Sequence, residues 1–331
     1  KSFFNNSDYD LVCTNTGTSA LQLALQACNF KKGSEILVPT LTYLASYQAI
    51  TAAGHKPISC DVNGSNGLLS INDAQKRISR KTKAVMLVHY NGYVGNLEEY
   101  YRFAKKNNIR VIEDAAHAFG STYNNKLIGT TGDIACFSFD GIKNITCGEG
   151  GMIISKDKKA INNIKDLRLL GVIGDSKKRV MKKRSWDFDV KEQGWRYHMS
   201  DIMASIGIEQ LKKFDKKFKK RRIDLNRYYR EKLKSCKYVK LFETDIDNVV
   251  PHIFPIRIEK NKLKILREKL KNKNIETGIH YKPNHLLSYF KTRYSLPNAE
   301  KIYEELITLP FHVDLRKKEI DIICQTIKKI N

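Results

Sequence analysis

Short apolar runs alternate with amphipathic stretches over the first two-thirds of the chain. Apolar side chains at helical spacing, as at Leu97, Tyr100 and Ala104, predict helices. Strands that are nearly continuous in apolar residues and alternate with helices are typical of a mainly parallel sheet covered on both faces. The predicted strands are residues 35–38, 84–88, 110–113, 134–139 and 152–154, and the predicted helices are residues 19–27 and 97–107.

The last third has a different order of elements. Residues 200–234 have the pattern of one or two long helices, and they are followed by a strand-like segment at 251–258. Helical patterns return at residues 262–271 and 318–330. We therefore predict an α/β protein with a large domain, residues 1–220, and a smaller α+β domain, residues 221–331. The length of 331 residues agrees with two domains at ~150 residues each.

The composition predicts a globular protein with an excess of cations. Hydrophobic residues make up 41% of the chain, which is enough for a sizeable core. The 59 lysines and arginines exceed the 35 acids by 24. They are scattered along the chain, as expected of a solvated surface. The run from Lys212 to Arg222, with Phe214 and Phe218 on one helical face, is either a solvated helix or a surface for nucleic acid or membrane.

The cysteines and the long uncharged stretches indicate in which cellular compartment the protein is expected. The seven cysteines form no C-x-x-C pair, which favours a reduced, cytoplasmic protein without a structural zinc. The uncharged stretches 11–30 and 36–55 are interrupted by polar residues, Gly or Pro, so we predict no membrane span. The sequence opens on Lys1 rather than Met, so we expect that an N-terminal piece is absent from it.

Three segments carry candidate chemistry, and the first is the turn Thr16-Gly17-Thr18-Ser19. It leads directly into a predicted helix, whose free N–H groups and dipole favour a phosphate. The alternative is an ordinary helix cap made by Thr18 or Ser19.

The second and third segments follow predicted strands. Glu113 and Asp114 end one strand and His117 follows; such an acid caps a helix, binds a metal, or keeps a ring nitrogen protonated. Ser138 and Phe139 end another strand, and Lys143 lies in the loop after it, before a glycine-rich turn. A single loop lysine is ordinarily a surface residue. Because ligands of such folds bind at the carboxyl ends of strands, these residues are expected to meet.

Taken together, the three segments match the requirements of pyridoxal phosphate. Its phosphate needs N–H donors, its pyridine nitrogen needs an anion such as Asp114, and its aldehyde needs an amine such as Lys143. A lysine ordinarily has a pKa of ~10.4. Lys143 must therefore be desolvated, or lie near other cations, to act as a nucleophile and proton carrier.

The chain resembles the DegT–StrS family of sugar aminotransferases, which are fold-type I pyridoxal-phosphate enzymes. The family fold has a large domain built on a mainly parallel seven-stranded sheet and a smaller α+β C-terminal domain. Family members usually have some forty more residues before the first motif. The resemblance runs almost to the C-terminus and is carried by T-N-T-G-T-S-A-L (14–21), V-P-T-L-T-Y (38–43), E-D-A-A-H-A (113–118), S-F-D-G-I-K-N-I-T-C-G-E-G-G (138–151), G-W-R-Y-H-M-S-D (194–201) and H-Y-K-P-N-H (280–285).

The resemblance implies a role for each matching position. Lys143 should form the Schiff base and carry protons, and Asp114 should pair with the pyridinium nitrogen. Tyr43 should stack on the ring, and His117 should approach its hydroxyl group. The phosphate should be held by Gly17, Thr18, Ser19 and Ser138.

The family's G-Y-N-Y-R-M motif reaches the phosphate of the other subunit's cofactor through its asparagine. Here Arg196 replaces that asparagine and His198 replaces the arginine. Arginine binds phosphate as a charge-assisted donor. The resemblance therefore implies a homodimer with shared active sites, in which Arg196 reaches the partner's cofactor.

The implied reaction is amination of a nucleotide-linked keto-sugar with L-glutamate as the amino donor. The Tyr-x-Met form at residues 197–199 favours a 4-keto-6-deoxy sugar over the 3-keto isomer. Tyr281 and His285 should lie near the sugar, or else only pack the smaller domain. The alternatives are a 3-keto aminotransferase and a sugar dehydratase, although dehydratases have histidine at the lysine position. A non-catalytic polyanion-binding protein is the alternative from another class.

Overall fold

A seven-stranded sheet is the centre of the larger part of the computed structural model, which describes residues 2–4, 8–174 and 188–330. Its strand order is β1-β9-β8-β5-β4-β2-β3, and β9 runs antiparallel to both of its neighbours. The other neighbouring strands are parallel. The strands, with the small hairpin β6–β7, are β1 Asp10–Thr14, β2 Glu35–Pro39, β3 Lys56–Cys60, β4 Thr82–Val88, β5 Arg110–Asp114, β6 Thr122–Tyr123, β7 Lys126–Leu127, β8 Ile134–Ser138 and β9 Gly151–Ser155.

Helices cover both faces of this sheet. They are α1 Gly17–Ala27, α2 Leu44–Ala52, α3 Ile71–Arg77, α4 Leu97–Lys106 and α5 Lys158–Leu167. Successive strand residues face opposite sides, so Ile36 and Met86 pack with α1, α2 and α5, whereas Leu37 and Val85 pack with α3 and α4. Burial on both faces explains the nearly continuous apolar runs and confirms the predicted mainly parallel sheet.

A second core lies in the C-terminal part. The antiparallel sheet β10-β11-β12 packs there with three helices, and the buried members of its main apolar cluster all lie between Leu225 and Ile330. This core agrees with a smaller α+β domain, and its start at residue 221 stays a prediction. Helix α6, Asp201–Lys213, precedes this part, and its Met203 and Leu211 pack against the cluster that contains Phe119. The elements that follow are α7 Lys220–Leu233, β10 Val239–Leu241, β11 Phe254–Ile258, α8 Lys260–Lys271, α9 Pro297–Glu305, β12 Leu306–Leu309 and α10 Lys317–Lys328.

The basic segment from Lys212 to Arg222 joins α6 to α7 through a π-helical turn, Phe214–Lys219. Phe214 and Phe218 are both buried, and the Phe214 ring lies 5.0 Å from that of Phe119. These side chains therefore belong to the core and are not available to insert into a membrane. In the part of the chain that is described, no helix is long and apolar enough to cross a bilayer.

Candidate active site

A cavity of about 480 Å³ lies where β5 and β8 end and α1 begins. The carboxyl ends of parallel strands are the usual ligand position in such sheets. Of the predicted site residues, the cavity is lined by Gly17, Thr18, Tyr43, Asp114, His117, Ser138, Lys143 and Tyr281. Segments far apart in sequence are thus brought together as expected, whereas Ser19, Arg196 and His285 lie outside the lining.

The start of α1 offers backbone donors to the cavity. Gly17 and Thr18 line it, and N–H groups in a first helical turn have no intrahelical acceptor. The cap itself is Thr16, not Thr18 or Ser19 as predicted, because Thr16 has extended backbone angles and its hydroxyl accepts from the Ser19 N–H. The Ser19 hydroxyl oxygen lies 2.8 Å from both Thr16 O and Asn15 Oδ1, so its one proton is donated within the turn.

Gly17 also approaches the end of β8 closely. A Cβ at this position would lie 2.7 Å from the Cβ of Ser138, a distance that side chains do not tolerate. The glycine therefore lets the helix start and Ser138 share one wall of the cavity. This wall has the backbone donors and hydroxyl groups that a phosphate needs.

Asp114 is the last residue of β5 and is fixed by two donors. The Ser46 hydroxyl donates to Oδ2 at 2.7 Å, and the Ala116 N–H donates to Oδ1 at 3.2 Å. Burial raises the pKa of the Asp114 carboxyl, while these hydrogen bonds and the charge of Lys143 oppose the rise. A cation beside this buried carboxyl group, such as a protonated ring nitrogen, would stabilise its ionised form.

Lys143 lies in the loop after β8. A backbone hydrogen bond of 2.8 Å from the Phe139 N–H to the Gly150 carbonyl oxygen closes this loop. Burial lowers the pKa of the Lys143 amine, and the carboxylates of Asp114 and Asp140 partly oppose this. An amine with a lowered pKa is more often neutral near physiological pH and hence a better nucleophile. The loop lysine is thus a partly buried residue of the cavity and not an ordinary surface lysine.

Three aromatic side chains also line the cavity. Tyr43 precedes α2, is 59% exposed, and lies with its ring centroid 5.5 Å from that of Tyr281. His117 Nε2 lies 2.9 Å from the Tyr281 hydroxyl oxygen. Tyr43 thus contributes an aromatic ring to the cavity lining. His117 and Tyr281 contribute an imidazole and a hydroxyl group that are hydrogen-bonded to each other.

The remaining predicted residues are placed elsewhere. His285 is buried, with Nδ1 2.8 Å from Thr40 Oγ1 and Nε2 3.2 Å from Glu300 Oε1. Both of its nitrogens are therefore engaged away from the cavity, which favours the packing alternative for this residue. Arg196 is exposed and forms a bridge with Leu169 through its backbone. Among the described residues, no side-chain hydrogen bond or ion pair holds its guanidinium.

Sequence reasoning missed several residues that shape the site. Ser46 lies one turn into α2, just after the V-P-T-L-T-Y motif, and nothing in its own spacing pointed to Asp114. His280 lines the cavity and is the first residue of the H-Y-K-P-N-H motif, so it could have been found there. Ser46 had no comparable signal, because its partner is 68 residues away.

The chemistry of these groups fits pyridoxal phosphate. The wall shared by Gly17 and Ser138 suits its phosphate, and the carboxylate of Asp114 suits its ring nitrogen. Lys143 supplies a buried amine within the same cavity. The donor set, a backbone cradle with one anion and one amine, is the set that this cofactor requires.

Comparisons with known proteins agree with the geometry. The model of the DegT/DnrJ/EryC1/StrS aminotransferase family matches residues 6–328. An uncharacterized protein of Methanocaldococcus jannaschii is 35% identical, over 96% of this chain and 85% of its own. The GDP-perosamine synthase of Escherichia coli O157:H7 is 34% identical, over 98% of this chain and 86% of its own.

Among solved structures, a putative sugar aminotransferase of Streptococcus pneumoniae superposes with a TM-score of 0.88 at 28% identity. The match covers 97% of this chain and 87% of the Streptococcus pneumoniae protein. That protein has been solved in both pyridoxamine-phosphate and pyridoxal-phosphate forms. The cavity, the family match and the two cofactor-bound forms of this solved structure agree on one cofactor and one kind of reaction. The chain belongs to the DegT/DnrJ/EryC1/StrS aminotransferase family and is a sugar aminotransferase that uses pyridoxal phosphate.

Proposed function

We propose that the chain transfers the amino group of L-glutamate to a nucleotide-linked 4-keto-6-deoxyhexose. The observation that carries the proposal is the single cavity in which the α1 start, Asp114 and Lys143 meet. One relative is named as the synthase of a GDP-linked product, which supports a nucleotide-linked acceptor. The preference for the 4-keto isomer rests on the Tyr-x-Met form of residues 197–199.

The chain's own residues divide the work of a ping-pong reaction. Pyridoxal phosphate, when bound, supplies the electron sink for the carbon from which a proton is removed. Lys143 moves that proton, because burial lowers the pKa of its amine and so makes the neutral, proton-accepting form easier to reach. Asp114 stays at the ring nitrogen because Ser46 and the Ala116 N–H hold both of its oxygens.

The segment favouring the 4-keto sugar packs into its own chain. The Tyr197 hydroxyl donates to Gln22 Oε1 at 3.1 Å, and a Cβ on Gly150 would lie 2.9 Å from Met199 Cε. Tyr197 and Met199 would thus influence the depth of the sugar by positioning the backbone between them. Misplacement on the ångström scale can cost ~10²-fold in rate, so modest packing differences can select one ring carbon.

Product analysis tests the regiochemistry directly. The purified holoenzyme is incubated with glutamate and a panel of nucleotide-linked 3-keto and 4-keto-6-deoxy sugars. We expect an amine at C4 of the 4-keto acceptor, identified by NMR of the product. An amine at C3 would refute the 4-keto assignment, and amination of none of these sugars would refute the proposed substrate class.

A second copy of the chain is proposed to complete the site. In the described chain α6 has no buried residue, and Ile202 is 76% and Ile208 55% exposed. Tyr43 and Ile142, at the cavity, are also largely exposed. Such apolar exposure is typical of an interface. A homodimer that covers this surface would bring the exposed Arg196 of one subunit to the cofactor phosphate of the other.

Mixing two inactive variants tests this sharing. We expect Arg196→Ala homodimers to bind the cofactor weakly, because a charge-assisted donor to phosphate is lost. Heterodimers of Arg196→Ala and Lys143→Ala subunits should recover one working site, since one cavity then has both residues. No recovery in heterodimers shown to form, or full activity of Arg196→Ala homodimers, would contradict the proposal. Unmixed homodimers of each variant are the controls.

A further inference from the structure

Tyr281 is held at the cavity by contacts of the residues that directly precede it. The hydroxyl of Tyr90 donates to the carbonyl oxygen of His280. The His280 ring reaches Thr308 on β12, with 3.0 Å between Nδ1 and Oγ1. Gly278 and Thr308 exchange two backbone hydrogen bonds of 2.9 and 2.8 Å. These hydrogen bonds fix the backbone that carries the Tyr281 side chain.

His117 determines how the hydroxyl of Tyr281 points. Burial lowers the pKa of His117 well below its usual value, and the charge of Lys143 lowers it further, so the imidazole is neutral. The Asn91 N–H donates to Nδ1 at 3.3 Å, which places the ring proton on Nε2. Nε2 lies 2.9 Å from the Tyr281 oxygen, so His117 donates and Tyr281 accepts.

The proton of the Tyr281 hydroxyl is left to point into the cavity. Within residues 8–174 and 188–330, His117 is its one hydrogen-bond partner, and that bond uses a lone pair of the oxygen. Burial raises the pKa of Tyr281 above its usual value, and the charge of Asp114 adds to the rise. The hydroxyl therefore stays protonated and is an oriented, neutral donor in a cavity that it shares with Lys143.

We propose that Tyr281 donates a hydrogen bond to the carbonyl oxygen of the keto-sugar, with His117 as the residue that positions it. This inference rests on the proposed function. A ketone oxygen gains negative charge when its carbon is attacked by an amine, and a preorganised donor stabilises that charge. Tyr281 would then be a catalytic residue of the sugar half-reaction above all. The proton transfer by which glutamate converts the cofactor involves no ketone oxygen, and a ketone appears in that half-reaction only when 2-oxoglutarate is released.

The test measures the two half-reactions separately in the holoenzyme, by stopped-flow absorbance with glutamate and then with a keto-sugar that the wild type aminates. In Tyr281→Phe we expect the sugar half-reaction to slow by about 10²-fold, while the glutamate half-reaction stays close to wild type. Tyr289→Phe is the matched control, because it removes the hydroxyl of a tyrosine that is 77% exposed in the same segment. Both half-reactions should then be unchanged.

Variants of His117 separate positioning from simple packing. A glutamine can accept from the Asn91 N–H and donate to Tyr281, so His117→Gln should retain most of the sugar half-reaction. His117→Leu should slow it towards the level of Tyr281→Phe, and the double variant should be no slower than Tyr281→Phe alone. Such non-additivity is expected when two residues act through one hydroxyl.

Several outcomes would overturn the inference. Equal slowing of both half-reactions in Tyr281→Phe would show a structural role, and no slowing would show no role. A changed pH titration of the cofactor's visible absorbance would place the hydroxyl on the cofactor instead. Additive effects of His117→Leu and Tyr281→Phe would remove the positioning role. A wild type that aminates no keto-sugar would overturn the proposed function and this inference with it.

Discussion

Replacing Lys143 with alanine is expected to lower turnover by about 10⁴-fold or more, because we propose this one side chain as both nucleophile and proton carrier. The amine is buried in the cavity, and its lowered pKa suits both tasks. The visible absorbance that depends on the lysine–cofactor linkage should be lost together with turnover. Both quantities can be followed in one preparation, by absorbance and by steady-state assay.

The same preparation separates chemistry from folding. Far-ultraviolet circular dichroism and thermal unfolding should remain close to wild type, because alanine leaves the loop backbone unchanged. Lys83→Ala is a suitable control, since Lys83 is an exposed lysine at the start of β4. It should retain both absorbance and turnover. Unchanged activity of Lys143→Ala would refute the assignment of this lysine.

Replacing Asp114 with asparagine is expected to lower turnover by about 10²–10³-fold, because the ring nitrogen loses the anion that keeps it protonated. The shape of the side chain is kept. Ser46 can exchange donor and acceptor roles, since its hydroxyl is also 2.9 Å from that of Thr42. The fold should therefore persist while the rate of proton removal from the substrate falls, as measured in the glutamate half-reaction.

The adjacent acid offers a matched comparison. Glu113 is fully buried on the opposite face of β5, where its oxygens lie 2.7 Å from His89 Nε2 and 2.6 Å from the Tyr101 hydroxyl. Glu113→Gln should lower the unfolding temperature yet leave the half-reactions near wild type. If Glu113→Gln slowed catalysis as much as Asp114→Asn, the loss could not be assigned to a charge beside the cofactor.

The main strands of the sheet could be predicted because a strand that is buried on both faces has a nearly continuous run of apolar residues. The apolar runs at residues 84–88 and 134–139 correspond to β4 Thr82–Val88 and β8 Ile134–Ser138. Strand β3, Lys56–Cys60, was missed, because an edge strand that contains lysine and proline lacks a continuous apolar pattern. Strand β1 was missed inside the long uncharged stretch that begins at residue 11.

The local sequence pattern did not predict which hydroxyl group of the turn before α1 caps the helix. The T-G-T-S turn predicted either a phosphate site or an ordinary cap made by Thr18 or Ser19. In the structure Thr16 and Ser19 cap each other, whereas Thr18 lines the cavity. Rotation by one residue on a helix turns a side chain by about 100°, so neighbouring hydroxyls face different surroundings.

The sequence by itself determined the cofactor chemistry, because each essential group is tied to a local feature. Gly17 begins a helix, Asp114 ends a strand, and Lys143 follows one, so their backbone positions bring them to the same edge of the sheet. Only the tertiary structure decided how these groups are supported. The Ser46–Asp114 bond spans 68 residues and the His117–Tyr281 bond spans 164. Such pairs depend on how distant elements pack against each other, and no local spacing encodes that packing.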